Sequence, residues 1–364
     1  MAAETSTKLY HSIHAQPEAI RALLTDWDGP KQAAKQLVQA GRVLLCGIGT
    51  SFHAAIVGEY MLRVAGVEAW ALRSFEFVQY PRPLHHDDAV IMISHRGNKQ
   101  LGTLAIERVK QTDLPLIGIT GKDSKMSGAD ITLETVPQDP SSTHSISYIG
   151  TLTRLAQIAA QLAEIKGDLE QARRLKEGLA QVPALIERTL ARESDIRQIA
   201  QEAVKQRRRI YFVGAGPNAA TAPEGALKAK EAAYVTTEGF ELEQAIHGPL
   251  VAFEAEDLLI PISVKGTGQA RMAELLLALS EIGSRLWLIG DAPSEETAAL
   301  LQRNNWGSFS LFEGAELPEE LTPLLTVVPT QLLAHFLAEA RGTNADVFRL
   351  DHAAYKQAMT RFRL

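Results

Sequence analysis

The 364-residue chain predicts an α/β fold: two tandem domains, each a doubly wound parallel sheet with helices on both faces, followed by a C-terminal tail. Two observations carry this. Short apolar runs alternate with helical patterns of ten or more residues, the spacing of βαβ units. The same order of runs then returns in the second half of the chain, as after a duplication. "GRVLLCGIGTSFH" is answered by "RRIYFVGAGPNAA", "AVIMISHRGNKQ" by "LLIPISVKGTGQ", and "PLIGITG" by "RLWLIGD". Gly47, Ser94 and Gly121 are thereby matched to Gly214, Ser263 and Gly290 at near-equal spacing.

Taken in order, "RVLLCGIGTS" (Arg42 to Ser51) reads as a strand running into a glycine-rich turn, with a small-residue helix from Phe52. "AVIMIS" is a second strand and "LPLIGITG" (Leu114 to Gly121) a third. A hydroxyl-rich stretch from Asp139, with Ser141, Ser142 and Thr143, precedes a helix that begins near His144. A segment rich in Glu, Arg, Leu and Ala then shows helical periodicity and reads as a connector. Arg207–Arg209 read as its solvated last turn, favoured by the helix dipole, in preference to a nucleic-acid patch. The three repeated strands follow.

Composition limits the function classes. The chain is 46% hydrophobic and 22% charged, as soluble globular proteins are. A net charge of -6 and a pI of about 6.0 give no general attraction to nucleic acid or anionic membranes, so a basic site must be local. No apolar run is read as reaching the ~18 residues of a spanning helix. The N-terminus carries no secretory pattern. One cysteine, Cys46, cannot build a disulfide framework, and a cytoplasmic location is expected.

"GIGTSF" and "GAGPNA" lack the third glycine of a dinucleotide fingerprint, and no ribose-binding acid follows, so no nucleotide cofactor is expected. What remains is the affinity of helix N-termini for anions. Thr50 and Ser51 follow the first strand, and Ser94 and Asn98 the second, at the sheet edge where open α/β folds bind ligands. The turn Ser94-His95-Arg96-Gly97-Asn98-Lys99 adds two cations suited to phosphate, Arg96 as a bidentate fork and Lys99 as a point charge. The competing reading pairs both with surface acids, and the recurrence of a cation at Lys265 supports it. Glu224, Lys228 and Glu231 share one helix face at i, i+4 and i+7. They form either a solvated ion-pair face or catalytic equipment, with His247 in the turn "HGP" close behind. A carboxylate that shuttles a proton between adjacent carbons, with a histidine that protonates a ring oxygen, suits an aldose–ketose isomerase. The run "LHHDD" (Leu84 to Asp88) is the nearest approach to a metal set and reads instead as the turn before a strand, so no metal is expected.

At "EGALKAKE", "HGPL" and "CGIGTS" the chain resembles the sugar-isomerase (SIS) family over nearly its whole length. It looks like the isomerase half of glucosamine-6-phosphate synthase and related phosphosugar isomerases and deaminases. The resemblance implies an N-terminal helical segment at 1–28, SIS domains at 29–165 and 208–340, a helical connector at 166–207, and a tail at 341–364 that closes the active site. It implies that Thr50, Ser51, Ser94 and Ser142 hold the sugar phosphate or its chain. The family turn usually reads Ser-Gln-Ser-Gly-Glu-Thr, so His95, Arg96 and Lys99 are substrate-binding positions with altered residues. Glu231 matches the glutamate that moves a proton between C1 and C2, with Glu224 and Lys228 as helical companions. His247 matches the ring-opening histidine, which in the family reaches a site across a dimer interface. Lys356 matches a tail lysine that forms a Schiff base with an open-chain ketose, given a closed, dry site. Gln244 stands where the family has an acid. Met1 to Pro17 is too short for a glutaminase domain, so glutamine-dependent ammonia production is not expected.

The implied function is a phosphosugar isomerase or an amino-sugar-phosphate isomerase/deaminase. Its substrate would be a hexose phosphate such as fructose 6-phosphate or glucosamine 6-phosphate. It would work as a cytoplasmic homodimer without cofactor, nucleic-acid or membrane partner. The alternative is a non-catalytic phosphosugar sensor.

Overall fold

A computed structural model describes residues 7–312 and 314–361. Three helices come first: α1 (Lys8–His14), α2 (Gln16–Leu23) and α3 (Asp28–Leu37). The first sheet is then built by β1 (Arg42–Gly47), α4 (Thr50–Val64), β2 (Ala69–Arg73), α5 (Ser74–Gln79), β3 (Asp88–Ile93), α6 (Gln100–Val109), β4 (Leu116–Thr120) and β5 (Ile131–Glu134). Helices α7 (Ile146–Ile165), α8 (Leu169–Leu190) and α9 (Glu193–Lys205) follow. The second sheet is built by β6 (Ile210–Gly214), α10 (Thr221–Ala233), β7 (Thr237–Glu241), α11 (Leu242–Ile246), β8 (Leu258–Ser263), α12 (Gln269–Ile282), β9 (Arg285–Gly290), α13 (Glu295–Arg303) and β10 (Gly307–Ser310). Helices α14 (Pro323–Arg341) and α15 (Ala353–Met359) complete the chain.

Both sheets are parallel throughout and share one topology, β2-β1-β3-β4-β5 and β7-β6-β8-β9-β10. The expected fold class is therefore the one formed. In each sheet the chain leaves the first strand towards one side and returns on the other. This places a switch point, the usual ligand crevice of such sheets, beyond the C-terminal ends of β1 and β3, and again of β6 and β8.

The chain divides into two compact units. One holds Ala15–Pro183 and the chain from Arg349 onward; the other holds the chain up to His14 and Ala184–Phe348. The N-terminal helices are thus shared out, α1 with the second sheet and α2 and α3 with the first, while α15 goes with the first.

Central strands β3 and β4 are buried at every residue, and β1 at all but its first, because a parallel sheet covered on both faces leaves no polar side. Cys46 lies within this core, where burial pushes its thiol up to about 12, so it is no nucleophile. Gly47 and Gly214 end the first strand of each repeat. A Cβ there would stand 2.4 Å from the backbone of Ser51 and 2.1 Å from the carbonyl oxygen of Asn218, so the close return of the following segment demands glycine.

Two sequence expectations change. Helix α9 ends at Lys205, and Arg207, with φ 53°, turns the chain out of it. Arg207–Arg209 are therefore not a helical turn. Arg209 instead forks onto Asp257 at 2.6 and 3.0 Å, and Arg208 donates to the carbonyl of Glu256 at 2.9 Å. Within the 23 residues Glu319–Arg341, an 18-residue window has a mean hydropathy of 1.4, which meets the length that no apolar run was expected to reach. The whole of its apolar window is buried within its own unit, as in a core helix.

Candidate functional site

The first switch point is formed by the turns after β1 and β3. Helix α4 begins at Thr50, two residues before the expected start, so Thr50 and Ser51 make up its first turn. The N–H groups of Ser51 and Phe52 already donate to the carbonyls of Ile48 (3.1 Å) and Gly49 (2.8 Å). Ser94 is buried at the end of β3, its N–H donating to the carbonyl of Ile119 at 3.0 Å. Among the described residues, the hydroxyls of Ser51, Ser94 and Ser142 have no hydrogen-bond partner. Nor does Arg96 or Lys99 have a carboxylate partner. Arg96 is exposed and Lys99, at the N-cap of α6, is half-buried. Desolvation first, and then the like charge of Arg96, lowers the pKa of the Lys99 ammonium. The opposite charge of a bound anion offsets both effects, because it favours the charged ammonium. Gly97 holds the turn at φ 66°, where a Cβ would stand 2.3 Å from the Met126 nitrogen.

His95 does a different job from its neighbours. Its Nε2 accepts the N–H of Asp139 at 2.9 Å, so the neutral ring carries its proton on Nδ1, which is buried without a partner. Burial, with Arg96 nearby, pushes the ring down to about 4. Its carbonyl accepts from Gly121 at 2.9 Å and from Gln138 at 3.3 Å. His95 is thus a fastener between the cationic turn and the hydroxyl loop, with Nε2 not free to reach a phosphate. Asp139 shapes that loop, its carboxylate accepting from the N–H groups of Ser141 (3.3 Å) and Ser145 (2.9 Å). Helix α7 consequently starts at Ile146, not at His144. Asp139 was not singled out in the sequence, although an acid two residues before a hydroxyl run is the mark of an Asx turn.

In the other unit, α10 carries Glu224, Lys228 and Glu231. Glu224 and Lys228 are 0% and 1% exposed, which removes the solvated-face reading. Lys228 Nζ lies 3.5 Å from Glu224 Oε1 and 2.6 Å from Glu231 Oε2. Buried Ala222, Ala226, Ala229 and Ala232 let the helix pack closely around this group. Of the two carboxylates only that of Glu231, 21% exposed, reaches the surface. Its position is held by a buried cation and its carboxylate is accessible, as a proton carrier requires.

His247 is not brought to Glu231. Its side chain is 70% exposed and its Nδ1 lies 3.0 Å from the carbonyl and 3.1 Å from the carboxylate of Glu243. Gln244 donates its N–H to Glu241, capping α11. Lys356 is exposed on α15, a helix that buries none of its residues, so the expected closed and dry surroundings are not formed around it.

Two other places gather polar groups. His85, Asp87 and Asp88 bring ligand atoms within 4.8 Å of one another, yet both Asp88 oxygens already accept from Arg42, at 2.9 and 2.8 Å. A cavity of about 650 Å³ beside β2 is lined by Arg42, Arg63 and Arg108 among others. Arg63 there pairs with Glu59 and Arg108 donates to the carbonyls of Phe77 and Arg82, so these cations are engaged.

The SIS domain signature matches residues 36–160 and 203–299. The glutamine–fructose-6-phosphate aminotransferase of Gloeobacter violaceus is 32% identical over 351 residues, covering 92% of this chain and 56% of that protein. The chain spans about half the length of the curated relatives it matches. The C-terminal domain of the Francisella tularensis glucosamine-fructose-6-phosphate aminotransferase shares the fold, with a TM-score of 0.82 over 94% of this chain and 99% of that one, at 20% identity. Tagatose-6-phosphate ketose/aldose isomerase from Escherichia coli gives 0.78 over 96% of each chain, at 19% identity. The chain belongs to the SIS domain family.

Proposed function

We propose that this SIS-family chain is a phosphosugar isomerase or an amino-sugar-phosphate isomerase/deaminase, acting on a hexose phosphate such as fructose 6-phosphate or glucosamine 6-phosphate. The observation that carries the reading is the first switch point, where, among the described residues, two cations lack carboxylates and three hydroxyls lack partners. Arg96 and Lys99 bind the phosphate through charge-assisted contacts, and Ser51, Ser94 and Ser142, with Thr50, hold its remaining oxygens and the sugar chain.

Glu231 carries the chemistry. In the ketose-to-aldose direction it takes a proton from C1 to give an enediol, then returns that proton to C2; the amino sugar follows the same course through an enolamine. Lys228 and Glu224 keep Glu231 in position. His247 opens the ring from a second copy of the chain in a homodimer. Its exposure supports this, as does that of Val251 nearby, at 93%. Lys356 captures the carbonyl once the tail moves over the substrate. The protein works in the cytoplasm and needs no cofactor.

The test is to incubate the purified protein with hexose and hexosamine phosphates in deuterated water. Deuterium entering C1 or C2 is the expected result. Saturable binding without exchange would replace the enzyme with a sensor. A mixed dimer of His247→Ala and Glu231→Gln chains should recover partial activity, and a fully active monomer in sedimentation would remove the role in trans.

A further inference from the structure

The second sheet has its own switch point, between the C-terminal ends of β6 and β8, and a side chain fills it. The Glu319 carboxylate lies there, accepting the N–H of Thr267 at 3.3 Å. A Cβ on Gly266 would stand 2.3 Å from this carboxylate, and one on Gly216 would stand 3.1 Å from it. One glycine after each central strand therefore gives the group its space. Helix α12 starts two residues beyond Thr267 and runs for 14 residues, so the negative charge sits where the helix dipole favours it. Beside it a cavity of only about 10 Å³ remains, no more than a single water requires.

The repeat explains what Glu319 has replaced. Helices α7 and α14 occupy the same place in the two repeats, starting at Ile146 and Pro323. Four residues before each start stand Ser142 in one repeat and Glu319 in the other, Glu319 opening the short 3-10 turn Glu319–Leu321 that runs into α14. A free hydroxyl in the first repeat is answered in the second by a carboxylate that occupies the crevice.

We infer that Glu319 is an internal ligand: its carboxylate occupies an oxyanion-binding crevice retained in the second domain, and shortening it opens that crevice to a phosphate group. The backbone N–H of Thr267, the α12 terminus and the glycine-made space all recognise a compact oxyanion, whether a carboxylate or a phosphate. The inference rests on this crevice and the repeat, and stands whether or not the first switch point binds a phosphosugar.

The test uses the full chain, inorganic phosphate as the probe and the amide signals of Gly266 and Thr267 as the readout. In the unaltered chain the Thr267 amide should be protected from hydrogen exchange, and phosphate should leave both signals in place. In Glu319→Ser, protection should be lost and phosphate should restore it, with saturable shifts at about tenfold lower concentration than any effect on the unaltered chain. Glu319→Gln, which keeps the length and an acceptor oxygen, should stay closed to phosphate. A Thr267 amide that exchanges freely in the unaltered chain would overturn the inference without any variant. So would a natively folded Glu319→Ser chain that ignores phosphate.

Discussion

The two sheets are built alike at their N-terminal edges and differently at their C-terminal edges. At the N-terminal edges, Arg42 forks onto Asp88 and Arg209 onto Asp257, in each case tying together the two central strands. At the C-terminal edges the same repeat positions part company. Among the described residues the Ser51 hydroxyl has no partner, whereas Asn218, its counterpart, is buried and bonded to Thr221, Thr322 and Thr326. Among the described residues Arg96 and Lys99 lack carboxylates, whereas Lys265 holds Glu316 at 2.8 Å. Topology therefore supplies a crevice in both units. Whether it attracts an anion depends on whether its donors are already engaged within the protein.

The largest effect should come from the chemistry. Glu231→Gln should slow C1/C2 proton exchange by about 10²–10⁴-fold while phosphosugar binding persists. A loss below about tenfold would remove Glu231 from the role. Lys228→Met comes next, because it leaves Glu224 buried without its cation. A loss of roughly 3–5 kcal/mol of stability in urea titration is expected, and a loss under about 1 kcal/mol would show that the cluster is not a coupled unit.

The comparison between switch points is sharpened by two matched substitutions. Arg96→Ala should weaken phosphosugar binding by about 1.5–3 kcal/mol, roughly 10- to 150-fold, with the loss shrinking as salt rises. Lys265→Ala should leave affinity unchanged and alter stability by only ~0–1 kcal/mol, as for an exposed pair. Equal effects of the two on binding would erase the distinction.

A pH experiment lies between these in size. Burial, aided by Arg96, holds His95 at about 4, below its ordinary 6.5. Burial first, and then Arg197, does the same to His335 in the other unit, also at about 4. Between these values the unfolded chain binds the protons more tightly. The stability due to neutral rings is therefore complete above about pH 6.5 and is lost as the pH falls towards 4. Each ring should cost on the order of 1–2 kcal/mol at pH 5. His95→Gln should remove the first unit's share, seen as a smaller drop in urea midpoint between pH 7 and pH 5, with the His335 share intact. An unchanged drop would contradict the placement of His95.

The six inner strands were legible because each is a continuous apolar run. The outer strands β2, β5, β7 and β10 were not, since each buries a single residue. The shared face of Glu224, Lys228 and Glu231 on α10 was legible from its spacing, but its burial was not, because that depends on the helices packed around it. The partner of Arg209 lies 48 residues away, beyond any local pattern. Glu319 was hidden for a related reason: as a single acid it has no signature, and only the positions of the helix starts, Ile146 and Pro323, set it against Ser142.

The central claim is that each chain carries one phosphate site, at the first switch point. Calorimetric titration of the unaltered chain with fructose 6-phosphate tests it directly. One saturable site per chain is expected, weakening with salt, lost in Arg96→Ala/Lys99→Ala and retained in Lys265→Ala. Two sites per chain, or a single site indifferent to the double substitution, would contradict it.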